Sequence, residues 1–176
     1  LKEFSDVIIE CDERIIPLFK NSFKDNENKF VKLGTYSSNL EKINNFDYVI
    51  YAGSLGKYFR NSLNSFSQKP YLKNIKNYKD LELEDILSKV NGLKIGISWK
   101  SFQNRYAAEK SLSLEDFINI IELENSTIFN LQYGNVEDEL NFFTNKKNYK
   151  IITLKNLDLF NNFSGLSNLL EKLDIF

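Results

Sequence analysis

Short apolar runs alternate with helical patterns along most of this chain, and the alternation predicts parallel β-sheet with helices packed on it. Val7, Ile8 and Ile9 lie inside a run over Asp6–Glu10 that reads as a buried strand. Glu13–Phe23 then places Ile15, Ile16, Leu18, Phe19 and Phe23 near helical spacing, with Pro17 tolerable only in the first turn. Lys29–Leu33 predicts a second strand, and Asp47–Ala52, carrying Tyr48, Val49, Ile50 and Tyr51, a third. The turn Gly53-Ser54 opens a short helix containing Leu55, Tyr58 and Phe59. From Ser65 to Asn91 the rhythm breaks. Tyr71, Leu72, Ile75 and Tyr78 give this stretch something to bury, so an ordered crossover is expected, ending in a helix over Glu82–Val90.

A second series follows. Leu93–Trp99 predicts a strand, and Leu114–Leu123 a helix with Leu114, Phe117, Ile118 and Ile121 on one face. Thr127–Gln132 is the next strand, Val136–Phe143 the next helix, Tyr149–Leu154 the last full strand and Leu166–Leu173 the last helix. The expected fold class is α/β: parts of two Rossmann-like domains, each a parallel sheet flanked by helices. Residues 1–64 form part of the first domain, 65–91 an interdomain linker and helix, and 92–176 the N-terminal half of the second. A flavodoxin-like domain with one continuous sheet is the alternative, and Ser65–Asn91 speaks against it. The first residue is Leu, Met is absent, and Asp174-Ile175-Phe176 reads as the opening of a strand, so a piece of a longer protein is expected.

Composition narrows the chemistry. With 42% hydrophobic residues, 15 Phe and 9 Tyr, the core must be strongly aromatic. A net charge of −1 argues against a nucleic-acid partner. The absence of His removes the commonest general base and metal ligand, leaving carboxylates, Lys, Arg, Tyr and backbone. Cys11 cannot form an internal disulfide and fits a small core hydrophobe in a reducing compartment. No signal peptide pattern is present, and no apolar run nears the roughly 18 residues of a membrane span. The cytoplasm is the expected location.

Three stretches carry candidate chemistry. Ser98 and Trp99 end a strand, where ligands lie in open α/β sheets. Beyond them Lys100, Arg105 and Lys110 offer three cations within eleven residues, and Ser111 or Ser113 caps the next helix. Helix N–H groups, hydroxyls and fixed positive charge together suit a diphosphate, although a solvated loop with an ordinary Ser cap explains the same residues. In Gln132-Tyr133-Gly134 the glycine permits a flat base to approach the backbone, or simply makes a tight turn. Glu137, Asp138 and Glu139 complement the dipole of the helix that follows. The stretch opened by Gly53 follows a strand, and its Ser54, Lys57 and Arg60 can touch an acceptor or phosphate, with a carboxylate pair equally open to Arg60. Asp12 and Glu13 can supply a base, with helix capping the simpler reading.

These stretches, in order, carry a resemblance. Val7-Ile8-Ile9-Glu10-Cys11-Asp12 through Pro17-Leu18-Phe19, Gly53-Ser54-Leu55, Pro70-Tyr71-Leu72, Gly96-Ile97-Ser98-Trp99, Lys110-Ser111 and Leu131-Gln132-Tyr133-Gly134 resemble the glycosyltransferase-like domain that often follows tetratricopeptide repeats in bacteria. That domain is similar to ADP-heptose–lipopolysaccharide heptosyltransferases, which have the GT-B fold of two Rossmann-like domains facing a cleft. The resemblance implies a nucleotide-sugar donor, a glycan, lipid or protein acceptor, no cofactor and no metal. It places Ser98, Trp99, Lys100, Arg105, Lys110 and Ser111 around the donor diphosphate, Gln132, Tyr133 and Gly134 beside the base, and Gly53, Ser54 and Arg60 on the acceptor side. The family's catalytic Asp and later donor motif match nothing in this chain, so no catalytic residue is assigned. A non-catalytic module that binds nucleotide-sugars or serves as a scaffold is the rival expectation.

Overall fold

A computed structural model of the chain describes residues 6–67, 69–75, 80–102, 106–120, 125–147 and 151–176. The fold is mixed α/β, with separate parallel sheets of two and three strands flanked by helices, a partial Rossmann-like arrangement in each. The chain divides into two compact units, Leu1–Lys76 and Asn77–Phe176.

In the first unit β1 (Ile9–Cys11) runs into α1 (Ile16–Ser22) and returns in parallel as β2 (Phe30–Lys32), with Ile9 opposite Phe30. Pro17 sits in the first turn of α1, where its missing N–H has no partner to lose. The core is small and aromatic: Leu18 and Phe30 are buried, and Phe30 lies 5.3 Å from the Phe19 ring and 5.8 Å from the Phe23 ring. Tyr71 adds to this cluster 6.2 Å from Phe23, and the passing chain is held by Asn21 Nδ2, which donates to the Lys73 carbonyl at 2.7 Å. The Glu10 carboxylate accepts from the backbone N–H groups of Gly34, Tyr36 and Ser37, so it fastens the loop beyond β2. Contact with Ser37, opposed by burial and aided by these N–H groups, lowers its pKa to about 2.

Asp47–Ala52 does not form the expected strand. Among the described residues it joins no strand ladder, and Tyr48, Val49, Ile50 and Tyr51 are all exposed. β-propensity describes fit to a half-buried pleated surface, and among the described residues the two-stranded sheet of this unit offers none beside it. Two short helices follow the first sheet, α2 (Leu40–Ile43) and α3 (Gly56–Phe59).

The second unit opens with α4 (Leu81–Ser88), capped by Asp80 through the Leu83 N–H at 3.0 Å. Its sheet is ordered β3 (Leu93–Ile97), β4 (Ser126–Asn130), β5 (Ile151–Ile152), all parallel. The helices are α5 (Leu114–Ile120), α6 (Glu137–Lys147) and α7 (Phe163–Lys172). After α7 the chain returns to the free side of β3, where Ile175 bridges Ile95 in parallel and Gly96 donates to the Ile175 carbonyl at 2.9 Å. The strand opening read in Asp174-Ile175-Phe176 is therefore seated against β3. The order in which the chain lays segments across the sheet reverses there, while their direction stays parallel.

Alternation along the strands serves two layers. Ile95, Ile97 and Ile128 meet Leu114, Ile118, Val136 and Phe143 on one face. Phe129 turns to the other, against Leu83, Leu154, Leu157 and Leu169. The sheet is thus covered on both faces, with the adjacent Ile128 and Phe129 of β4 each serving a different layer. Gly96 makes room for α7: a Cβ there would lie 2.4 Å from Leu131 Cδ1 and 2.6 Å from Leu173 Cδ1. On the α4 side, Glu82 accepts from the N–H groups of Lys155 and Asn156, each at 2.9 Å, and these bonds depress its pKa despite some desolvation.

Candidate functional site

Beyond the carboxyl ends of β3 and β4 the second unit assembles a polar rim around Gln132. This side chain is only 2% exposed. Its Oε1 accepts from the Trp99 N–H at 2.8 Å, the Lys100 N–H at 2.7 Å and the Ser98 hydroxyl at 3.1 Å. Its Nε2 donates to the carbonyls of Lys100 at 3.1 Å and Tyr133 at 3.0 Å. Gln132 thus satisfies the irregular backbone where β3 ends, a stretch whose N–H groups have no ladder to join. Asn130 Oδ1 fixes the Gln132 backbone in turn, at 2.8 Å.

Glu139 is the second hub. Its Oε1 accepts from the Leu114 N–H at 2.8 Å, at the start of α5, and its Oε2 from the Trp99 indole N–H at 3.2 Å. Oε2 also pairs with the Lys100 ammonium. Burial alone would raise the Glu139 pKa, but the contacts from Lys100, Leu114 and Trp99 outweigh it and leave the carboxyl lowered. A carboxylate of the chain itself therefore stands where the loop's cation and a helix N–H converge. Trp99 is 3% exposed and packs in the core, with its indole N–H as the polar handle.

The remaining residues of this loop have distinct places. Ser111 accepts from the Ser101 N–H at 3.0 Å and donates to the Ala107 carbonyl at 2.6 Å, closing the loop on itself. Ser113 provides the cap, accepting from the Asp116 N–H at 3.0 Å. Ser98 and Lys110 are exposed, and among the described residues no carboxylate pairs with Lys110. Arg105 lies outside the described residues.

Gly134 has φ +89°, and a Cβ there would lie 2.6 Å from the Phe102 ring. The flat ring against this backbone is thus the chain's own Phe102, which continues through Tyr133 to Phe160 at centroid spacings of 5.5 and 5.4 Å. Past these rings a groove of about 260 Å³ opens along β4 and β5, lined by Asn130, Gln132, Tyr133, Gly134, Glu137 and Thr153 among others. Gly134→Ala is expected to cost about 2 kcal/mol, from left-handed strain and displacement of Phe102. A urea midpoint unchanged from the parent chain would show that the turn relaxes freely.

In the first unit, Gly53 and Ser54 lie in an exposed single turn before α3. The Arg60 guanidinium donates to the Ser65 carbonyl and lies 5.2 Å from the centroid of the Phe66 ring, so its partners are a carbonyl and a ring. Neither Asp12 nor Glu13 caps α1, whose N-cap is Ile15. Asp12 instead forms a two-point pair with Arg14, at 2.9 and 2.8 Å, and its pKa falls to about 2 through those bonds. Glu13 pairs with Lys32 at 2.7 Å. The turn after β1 brings Arg14 to Asp12, and the parallel register that sets Lys32 opposite Cys11 brings Lys32 to Glu13. Burial, then the neighbouring Asp12 charge, pushes the Cys11 thiol up, away from nucleophilic character.

Among the described residues no group of three or more His, Cys, Asp or Glu is placed to hold a metal ion, and no helix is long and apolar enough to cross a membrane. In comparisons with protein-family models, curated proteins and solved structures, nothing matches this chain. Ser98, Lys100, Ser111, Gln132 and Gly134 surround one rim, as position along the strands predicts. Glu139, which joins Lys100, Trp99 and α5, is the residue that sequence reasoning assigns only to a helix dipole.

Proposed function

We propose that the chain is a glycosyltransferase module of the GT-B kind, whose second unit binds a nucleotide-diphosphate sugar for transfer to a glycan, lipid or protein acceptor in the cytoplasm. The observation that carries this reading is the reversal of strand order beside β3, with the Ser98–Ser111 rim directly beyond its carboxyl end. Open α/β sheets hold ligands at that point. Lys110, exposed at the edge of the rim, supplies charge for a diphosphate. The groove beside Tyr133 and Gly134 offers an aromatic wall and the Glu137 carboxylate, features suited to the base and ribose rather than to phosphate.

One observation favours the rival, a binding or scaffold module without catalysis. Glu139 already neutralises Lys100 and occupies the first N–H of α5, so a diphosphate there meets a negative charge. Titration calorimetry with ADP-, GDP- and UDP-sugars separates the readings. Donor binding accompanied by slow sugar release to water supports the transferase, and binding without turnover supports the module. No heat with any donor removes both nucleotide-sugar readings. Lys110→Ala is expected to weaken a bound donor by roughly 1.5–3 kcal/mol, the scale of one hydrogen bond to a charged group. Equal affinity would take Lys110 out of the site.

A further inference from the structure

Between Asp47 and Asp80 lie 32 residues with six cations, Lys57, Arg60, Lys69, Lys73, Lys76 and Lys79, and no carboxylate. Such a run is out of keeping with a chain of net charge −1. Its described portion is also unusually apolar on the outside: Tyr58 is 59% exposed, Phe59 50%, Leu63 89%, Phe66 53% and Tyr71 61%. Burying these apolar side chains would be favourable in water, yet within the first unit they face outward beside cations. The two features coincide at a groove of about 630 Å³ in which Arg60 and Lys69 stand with Phe66, Pro70 and Tyr71, and no carboxylate lines it.

We propose that this surface, carried by Lys57, Tyr58, Phe59, Arg60, Lys69 and Tyr71 of the first unit, docks on an anionic lipid bilayer. The charge balance chooses the occupant. Basic side chains attract an anionic headgroup layer, each contributing on the scale of a few-fold in affinity near the surface. Tyr and Phe rings belong at the depth where headgroups give way to acyl chains, and the stems of Lys and Arg reach back from there to phosphate. A nucleic acid would reward the cations but leave Tyr58, Phe59 and Leu63 in water. An apolar protein groove would bury the rings but leave the cations without partners. A bilayer surface satisfies both, and it requires no membrane-crossing helix. The groove's Arg60 and Lys69 receive one headgroup phosphate or carboxylate, while the rings beside them enter the interface. This inference stands independently of the donor site.

Sedimentation of the whole chain with vesicles tests it. Binding is expected to vesicles of phosphatidylcholine with about one third phosphatidylserine and to fall at least tenfold on phosphatidylcholine alone. It is also expected to fall at least tenfold between low salt and 0.5 M salt, where charges are screened within a few ångströms. Lys57→Glu with Lys69→Glu should lose binding more than tenfold, and so should Tyr58→Ser with Phe59→Ser, a pair that leaves the charge intact. All four residues are exposed, so unchanged circular dichroism is expected for both variants. The proposal is overturned by failure to sediment with the anionic vesicles, by equal binding to neutral ones, by full binding of the Ser variant, or by retention only on a short DNA duplex.

Discussion

Gln132→Ala is expected to destabilise the second unit by roughly 4 kcal/mol, a large share of the 5–15 kcal/mol that holds an ordinary domain together. The side chain is buried and joined by five hydrogen bonds, three accepted and two donated. Truncation strands the N–H groups of Trp99 and Lys100, and each buried donor left without a partner costs about 1–3 kcal/mol. Trp99 is the single tryptophan, so its fluorescence during urea unfolding reports from the affected spot. Gln132→Glu sharpens the test. An ionised carboxylate keeps the three accepted bonds but sets its second oxygen against the carbonyls of Lys100 and Tyr133. Its folded-state pKa is therefore raised, and protonation restores a donor, so this variant should gain stability relative to the parent as pH falls. A loss below about 1 kcal/mol for Gln132→Ala would mean that water replaces the amide at little cost.

Glu139→Ala is expected to cost roughly 3 kcal/mol, because it leaves the Leu114 N–H at the start of α5, Lys100 and the Trp99 indole without their shared acceptor. Glu139→Gln keeps one acceptor oxygen and loses the ion pair, so roughly half that effect is expected. The pH dependence has a definite sign. The folded-state pKa lies below the usual 4.5, so the contribution is complete above that value and disappears as pH falls through the folded-state value. The parent chain's advantage over Glu139→Gln should accordingly shrink between pH 7 and pH 3. An advantage constant across that range would show that the carboxylate's charge contributes nothing.

How much of this was legible in the sequence depends on the range of the interaction. Leu93–Ile97, with Leu93, Ile95 and Ile97, and Ser126–Asn130, with Ile128 and Phe129, lie in stretches that local pattern identifies as strands, and apolar layers cover the two faces of their sheet. Pro17 and Ser113 act within a few residues of themselves and were readable for the same reason. Tyr48–Tyr51 has the same apolar character but joins no strand ladder among the described residues, since strand formation depends on a neighbour that local pattern does not show. In the candidate site, strand ends located Ser98, Lys100 and Gln132. The role of Glu139 was invisible because its partners Leu114, Lys100 and Trp99 stand 25, 39 and 40 residues away along the chain. The resemblance sets Gln132 beside a nucleotide base, and local pattern gives no sign of its 33- and 32-residue reach to Trp99 and Lys100, which makes it the pin of the rim.

Glu10, Glu82 and Glu139 share one habit: each carboxylate gathers backbone amides from a distant segment and keeps them in place. The apolar layers are held instead by packed side chains that do not titrate, such as Ile95, Ile128, Phe129 and Leu169. Acid should thus undo the molecule from its margins inward, unlatching the connecting segments while the stacked strands and helices persist. The two halves would then soften separately, each at the pH where its own glutamates take up a proton.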